Sequence, residues 1–262
     1  MEYIATAVWF VLVLAGATFA GRVWSRVLGR LYWIVLAPGV AVHEISHALA
    51  CLVTGAKIKS IKLFGPRGGE VVHEKPRVPV VGKAVIAFAP LVGCSLVLVL
   101  LGAMLGSNLA NALRIGEGFE LSSTLTSLSG FYQFVERRVW MLLSGVRRDG
   151  YRQWQTYVFL YAAVCLGICL RPSLRDFRSA ALGVAAAVGL LYLADLLASR
   201  LGHDGAVIQH VLVPAQRPLH YLISVMSLVV ALTFCAWFVR LVIHRATGSK
   251  RKKPSSGLDR KK

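Results

Sequence analysis

Charged residues are scarce in this chain: Asp, Glu, Lys and Arg make up 16% of its 262 residues, against 56% hydrophobic ones. A soluble globule of this size would be left with far too much apolar surface, so the composition points to a membrane as the solvent. Acidic residues are the rarest of the charged set, 12 against 30 Lys and Arg, for a formal net charge of +18. The cations form no single basic domain but fall between apolar runs, which sets nucleic acid aside as a partner and leaves anionic lipid headgroups. Paired C-x-x-C motifs are also missing. Cys51, Cys94, Cys165, Cys169 and Cys235 sit in or beside apolar runs, as small hydrophobes do, without the pattern of a zinc knuckle or an extracellular disulfide framework. The first apolar run is preceded by acidic Glu2 and no basic segment, and no small-residue cleavage pattern follows it; it reads as a retained helix and not as a secretory signal. Neither an internal repeat nor a soluble regulatory domain is recognisable.

What is present is a series of long apolar runs. Tyr3–Ala20, Ala84–Leu113, Gln153–Leu170, Ser179–Ser199 and Pro218–Val239 are each long enough to cross a hydrocarbon core of about 30 Å as a helix. A sixth, Leu31–Gly55, would qualify equally but is interrupted by three ionisable residues. The expected fold is an all-α polytopic membrane protein of about six transmembrane helices, with a membrane domain over 1–244 and a basic, disordered tail over 245–262. Gly21–Arg30 reads as a short basic turn between the first two spans. Cytoplasmic connections carry the excess of Lys and Arg. Six spans with the tail inside place seven basic residues of Ala56–Lys83, three of Arg171–Arg178 and eight of the tail in the cytoplasm, against eleven outside. The expected location is the cell membrane.

Two connections carry structure of their own. In Gly116–Arg152, Phe131, Phe134, Val135, Val139, Leu142 and Leu143 recur at helical spacing opposite Glu136, Arg137 and Arg138, as in a helix lying along the interface. In Ala56–Lys83, the run Lys57 to Phe64 alternates polar and apolar with the period of a half-buried strand. Gly65-Pro66-Arg67-Gly68-Gly69 supplies turn chemistry, and Glu70–Glu74 returns. A small β-hairpin is expected just after the ionisable helix.

The interruption in Leu31–Gly55 is His43-Glu44-Ile45-Ser46-His47, an H-E-x-x-H pattern. On a helix, positions four apart share a face, so both imidazoles reach one ion, while Glu44 approaches a water on that ion without ligating it. Zinc lowers the pKa of such a water, and the carboxylate takes the proton and later delivers it to the leaving amine. Within a bilayer the same groups are costly: a Glu alone costs on the order of 2 to 3 kcal/mol on insertion scales unless something compensates. Metal coordination is such a compensation. The competing readings are side chains that hydrogen-bond to other helices or line a proton path.

The run Pro38 to Ala50, Pro-Gly-Val-Ala-Val-His-Glu-Ile-Ser-His-Ala-Leu-Ala, resembles the active-site helix of the site-2 protease family of intramembrane zinc metalloproteases. The resemblance extends downstream, where a short β segment and an apolar span near a proline match Gly69 to Pro76 and Ala87 to Gly93. It covers about Leu31 to Ser199, and the pentad is its sharply specific part. It implies zinc as cofactor, Glu44 as general base, His43 and His47 as ligands, and a membrane-embedded or membrane-proximal protein as substrate, held as a strand along the hairpin. Family members supply a third ligand, an Asp in an Asn-Pro-Asp-Gly-like sequence that this chain lacks. Its counterpart is Arg171-Pro172-Ser173-Leu174-Arg175-Asp176, where Pro172 and Ser173 start a helix and Asp176 falls on its first turn. Asp195, an isolated carboxylate within an apolar run, stays open as the alternative ligand, as does a cap role for Asp176. His73, Glu70, Glu74, His203, Asp204, His210 and His220 read as surface or interfacial residues. Ser46, or the region near Pro172, is expected to line a water route. Two other classes of function fit the same residues: a proton or metal transporter, and a non-catalytic membrane scaffold of the same fold.

Overall fold

The computed structural model describes residues 2–65, 68–105, 153–170, 189, 192–200 and 213–248, together with 133, 136–137, 140, 144–145 and 147–148. Helix α1, Glu2–Leu28, runs well past the Ala20 expected from hydropathy. Residues 21–28 include Arg22, Trp24 and Arg26, which continue a helix readily. The break falls at Gly29, whose φ of 54° is the left-handed conformation that glycine adopts without penalty. The expected ten-residue basic turn is thus a single 3-10 turn, Gly29–Leu31. Helix α2, Tyr32–Val35, follows, and after a one-residue irregularity at Leu36 comes α3, Ala37–Thr54. Pro38 lies in the first turn of α3, where a missing N–H is tolerated. Gly55, at φ 69°, closes the helix with its N–H on the Leu52 carbonyl.

The expected hairpin forms. Strands β1, Ile58–Lys62, and β2, Glu70–His73, pair antiparallel with Lys62 opposite Glu70 and Ile58 opposite His73, with an irregularity between Ile58 and Ser60. Its base is tied by Glu74 N–H to the Lys57 carbonyl, 2.8 Å, and by Arg77 N–H to the Thr54 carbonyl, 3.2 Å. Its far end lies beside the other end of the helix. Gly68 has φ 104°, and a Cβ there would meet the Trp33 ring at 2.9 Å. The hairpin therefore runs back along α3, a helix of 18 residues and so about 27 Å in length.

Helix α4, Pro79–Leu105, and helix α5, Trp154–Cys169, pack against α3 and against each other, and helix α6, Val213–Gly248, lies against α5 and α1. The main core is apolar and shared by all of them, with Ala17, Leu36, Leu98, Phe159, Val225 and Val229 fully buried. Trp24 Nε1–H donates to Thr233 Oγ1 at 3.0 Å, and Phe19 meets Phe234 with ring centroids 5.3 Å apart, fastening α1 to α6.

Among the described residues, three stretches are long and apolar enough to cross a membrane: Val11–Val35, Pro79–Leu105 and Tyr221–Ile243. Helix α5 is a shorter apolar helix of 16 residues. Large apolar side chains such as Val92, Leu96, Phe238 and Val242 face outward from these helices, as a hydrocarbon solvent allows. Of the expected span Ser179–Ser199, the described part over 192–200 is helical. In 116–152 the described positions are helical, and Glu136, Arg137 and Trp140 are exposed. The apolar residues expected on the opposite face, Phe131, Phe134, Val135, Val139, Leu142 and Leu143, lie outside the described residues, as do 249–262 of the tail.

Candidate metal centre

The four-residue spacing on α3 brings the two imidazoles together, with His43 and His47 ring centroids 4.9 Å apart and the rings nearly perpendicular. His47 and Glu44 are buried and His43 is half-buried. Each imidazole is oriented by a main-chain carbonyl: His43 Nδ1 lies 2.7 Å from the Cys169 oxygen, and His47 Nδ1 lies 2.8 Å from the Ile86 oxygen. A carbonyl only accepts, so in both rings Nδ1 carries the hydrogen. In a neutral imidazole that leaves the lone pair on Nε2, the nitrogen through which a metal is bound, with the Nδ1 bond fixing tautomer and ring direction.

Both carbonyls come from defects in helices. Ile86 is four residues before Pro90, which lies inside α4; proline has no N–H to give the carbonyl at that position. In an apolar surrounding such a carbonyl needs another donor, and His47 provides it. Cys169 is the last residue of α5, where the final carbonyls of any helix lack an intrahelical partner, and His43 takes that role. Neither bond forms unless the three helices approach closely. Glycine makes the approach possible at two points. A Cβ on Gly39 would lie 2.6 Å from the Cys165 oxygen of α5, and a Cβ on Gly93 of α4 would overlap the Ser46 hydroxyl. Tyr161 adds a hydrogen bond from its hydroxyl to the Val35 oxygen, 2.7 Å, at the irregularity before α3.

Glu44 is covered by the hairpin. A Cβ on Gly69 would overlap Glu44 Cγ and lie 2.9 Å from its carboxyl carbon, so only glycine fits between β2 and the carboxylate. The hairpin thereby forms one wall of the centre. The Ser46 hydroxyl, expected to line a water route, donates to the Val42 oxygen at 2.6 Å and packs on Gly93.

Two nitrogen donors on one face, each backed by a carbonyl, fit a zinc ion in donor type and outer-sphere support. Asp176, expected as the third ligand, lies outside the described residues. Asp195 is half-buried in the helical run 192–200, and among the described residues its Oδ1 is the buried side-chain oxygen without a hydrogen-bond partner. Among the described residues no three His, Cys, Asp or Glu side chains are grouped to hold a metal. Glu70 and Glu74 are exposed and His73 bonds to the Glu74 carbonyl, in keeping with surface roles. His203, Asp204, His210 and the His220 side chain lie outside the described residues.

The orienting carbonyls, Pro90 and Gly69 escaped the sequence reading. A carbonyl carries no sequence mark, but a proline deep in an apolar span and a Gly-Gly pair opposite the pentad were visible signals. A family model described as Peptidase M50B-like matches residues 3–238 of the chain. No curated protein and no solved structure gives a match.

Proposed function

From its membership of the Peptidase M50B-like branch of the site-2 protease family, integral membrane metallopeptidases, we propose that this protein is an intramembrane zinc endopeptidase acting on membrane-embedded or membrane-proximal protein segments. The observation that carries the reading is the pair His43 and His47, each with Nδ1 held by a carbonyl released from a helix, beside the buried carboxylate of Glu44. Each bond satisfies a carbonyl that its own helix leaves without a partner, and the two, on neighbouring turns of α3, leave Nε2 of both imidazoles to serve as ligands. Such bonds are what a metal site requires of its outer sphere.

His43 and His47 would hold the ion through Nε2, with Asp176 as the third ligand and Asp195 as the alternative. Zinc bound there supplies Lewis acidity, bringing the pKa of a water toward neutrality and polarising the peptide carbonyl. Glu44 takes the proton of the attacking water and returns it to the leaving amine. Burial under Gly69 keeps that carboxylate in a fixed place and away from bulk water. The substrate enters extended, because a helix hides its carbonyls in its own hydrogen bonds, and a third strand can pair along the hairpin, whose sheet has two strands among the described residues. Six spans, with the basic tail in the cytoplasm, complete the proposed topology.

The test is a metal and cleavage assay on detergent-purified protein. Glu44→Gln should keep its zinc and lose about 10²- to 10⁴-fold in turnover, and His43→Ala should lose zinc. Asp176→Ala should lose zinc and Asp195→Ala keep it; the reverse moves the third ligand to Asp195. Ion flux that persists in Glu44→Gln, with no proteolysis in the wild type, would sink the protease reading in favour of a transporter, and purified protein without zinc would favour a scaffold.

A further inference from the structure

A cavity of about 750 Å3 lies between the start of α3 and the far end of the hairpin, within the size range of ligand pockets. One wall is helical and includes Arg30, Trp33, Ala37 and Val40; the other includes Leu63 and Phe64 at the end of β1. The helical positions advance by three or four residues and so form one stripe. The irregularity at Leu36 does not interrupt it, since Leu36 N–H bonds to the Tyr32 oxygen at 3.0 Å and Val40 N–H to the Leu36 oxygen at 2.9 Å. Four residues beyond Val40 on the same stripe is Glu44. On the opposite wall, Gly68 lines the cavity and Gly69, next to it, touches Glu44. The two walls of the cavity thus continue to the carboxylate, the helical one four residues beyond Val40 and the hairpin one a residue beyond Gly68.

The two ends of the cavity differ in chemistry. Arg30 is the charged residue among the described lining residues, and the remainder is apolar or glycine. Arg30 also falls near the end of the span Val11–Val35, where a cation belongs at a membrane face. From Arg30 to Glu44 is about 21 Å of helix, which an extended chain covers in about six residues. Arginine's long side chain shortens that by about one residue. Among the described lining residues Arg30 is the one charge, and an apolar peptide segment with a carboxylate at its far end matches it and the apolar walls.

On the protease reading, which this inference deepens, we propose that the cavity holds the apolar part of the substrate in extended form and that Arg30 pairs with an acidic side chain about five or six residues from the bond that is cut. Arg30 then sets the register of cleavage: the acidic residue stays at the membrane face while the bond to be cut reaches Glu44. Trp33 and Phe64 select for apolar side chains between the two.

The probe is a set of apolar peptides in detergent micelles, each carrying one Asp at a different position, with Asn and Lys versions of each. They are incubated with the full-length wild type, Glu44→Gln and Arg30→Glu, and the products are mapped by mass spectrometry. In the wild type the cut should follow the Asp along the peptide at a fixed offset, with a preference of about tenfold for Asp over Lys. Arg30→Glu, a surface change, should reverse that preference and cut the Lys peptides. Cuts in the wild type that ignore the position of the Asp overturn the proposal, and mean that lipid or another group fills the cavity. An Arg30→Glu variant with wild-type preference overturns it as well. Wild type no more active than Glu44→Gln on every peptide overturns the protease reading itself, a result distinct from cleavage without register.

Discussion

At the scale of single residues, the centre depends on groups that never touch a substrate. Pro90 is the clearest case, because what it contributes is a missing hydrogen. Without an N–H on Pro90 the Ile86 carbonyl is left to His47, 2.8 Å away. Pro90→Ala restores the donor, and the helix then competes with the imidazole for one oxygen. The expected result is a loss of zinc affinity of about 10- to 100-fold, measured by competition with a chelator, while helix content by circular dichroism holds or rises. An unchanged affinity would show that the Ile86 bond is incidental. Gly69 supports the other function of the site. A methyl group at that position overlaps Glu44 Cγ, so Gly69→Ala must displace either the carboxylate or β2. Because an error of about 1 Å in a reacting group can cost on the order of 100-fold in rate, this variant should lose about that much turnover with zinc content intact. Parallel loss of zinc would instead mean that the hairpin supports the metal ligands.

At the scale of elements, α3 is held by close contact with two helices, α4 and α5. Gly39 allows the Cys165 carbonyl of α5 to approach the α3 backbone, and one turn further along His43 meets Cys169 of the same helix. Gly39→Leu separates the two helices, with an expected cost of about 1 to 3 kcal/mol from overpacking and loss of the His43 bond. Thermal unfolding in detergent should show a lower midpoint, and metal analysis should show reduced zinc. A lower midpoint with full zinc content would separate packing from ligand orientation. The elements differ in how much of them could be read in advance. The hairpin was legible because alternation from Lys57 to Phe64 and the Gly-rich turn are local signals, and the pentad was legible because ionisable groups in an apolar run stand out. The end of α1 was misread: Arg22 and Arg26 resemble loop residues by charge, yet a helix accommodates arginine well and only Gly29 forces the turn. The packing role of Gly39 and Gly93 has no local signature, since it depends on which helix lies opposite.

For the whole molecule, the path of the hairpin changes how the basic residues should be counted. All seven cations of Ala56–Lys83 read as cytoplasmic when that segment is taken as a loop. In the fold, the hairpin base is bonded at Thr54 and Lys57, while its far end reaches Trp33 near the opposite end of the helical segment. Lys57, Lys75 and Arg77 stay near the base, and Lys62 is carried along α3 toward the other face. The orienting signal of this segment is therefore smaller than its composition implies, and the burden shifts to the basic tail, since Lys and Arg are retained on the cytoplasmic side. The proposed six spans would put both termini on that side. Epitope tags at residue 1 and residue 262 should both be shielded from antibody in intact cells and both be exposed after permeabilisation. Removing the cations from 250–262 should weaken this orientation more than neutralising Lys59 and Lys62 together, because Lys62 is carried along α3 away from the hairpin base. A tag at residue 1 reached from outside while that at residue 262 is not would require an odd number of spans, and would place the segment 116–152 or the run ending at Arg200 in the membrane differently from the proposed topology.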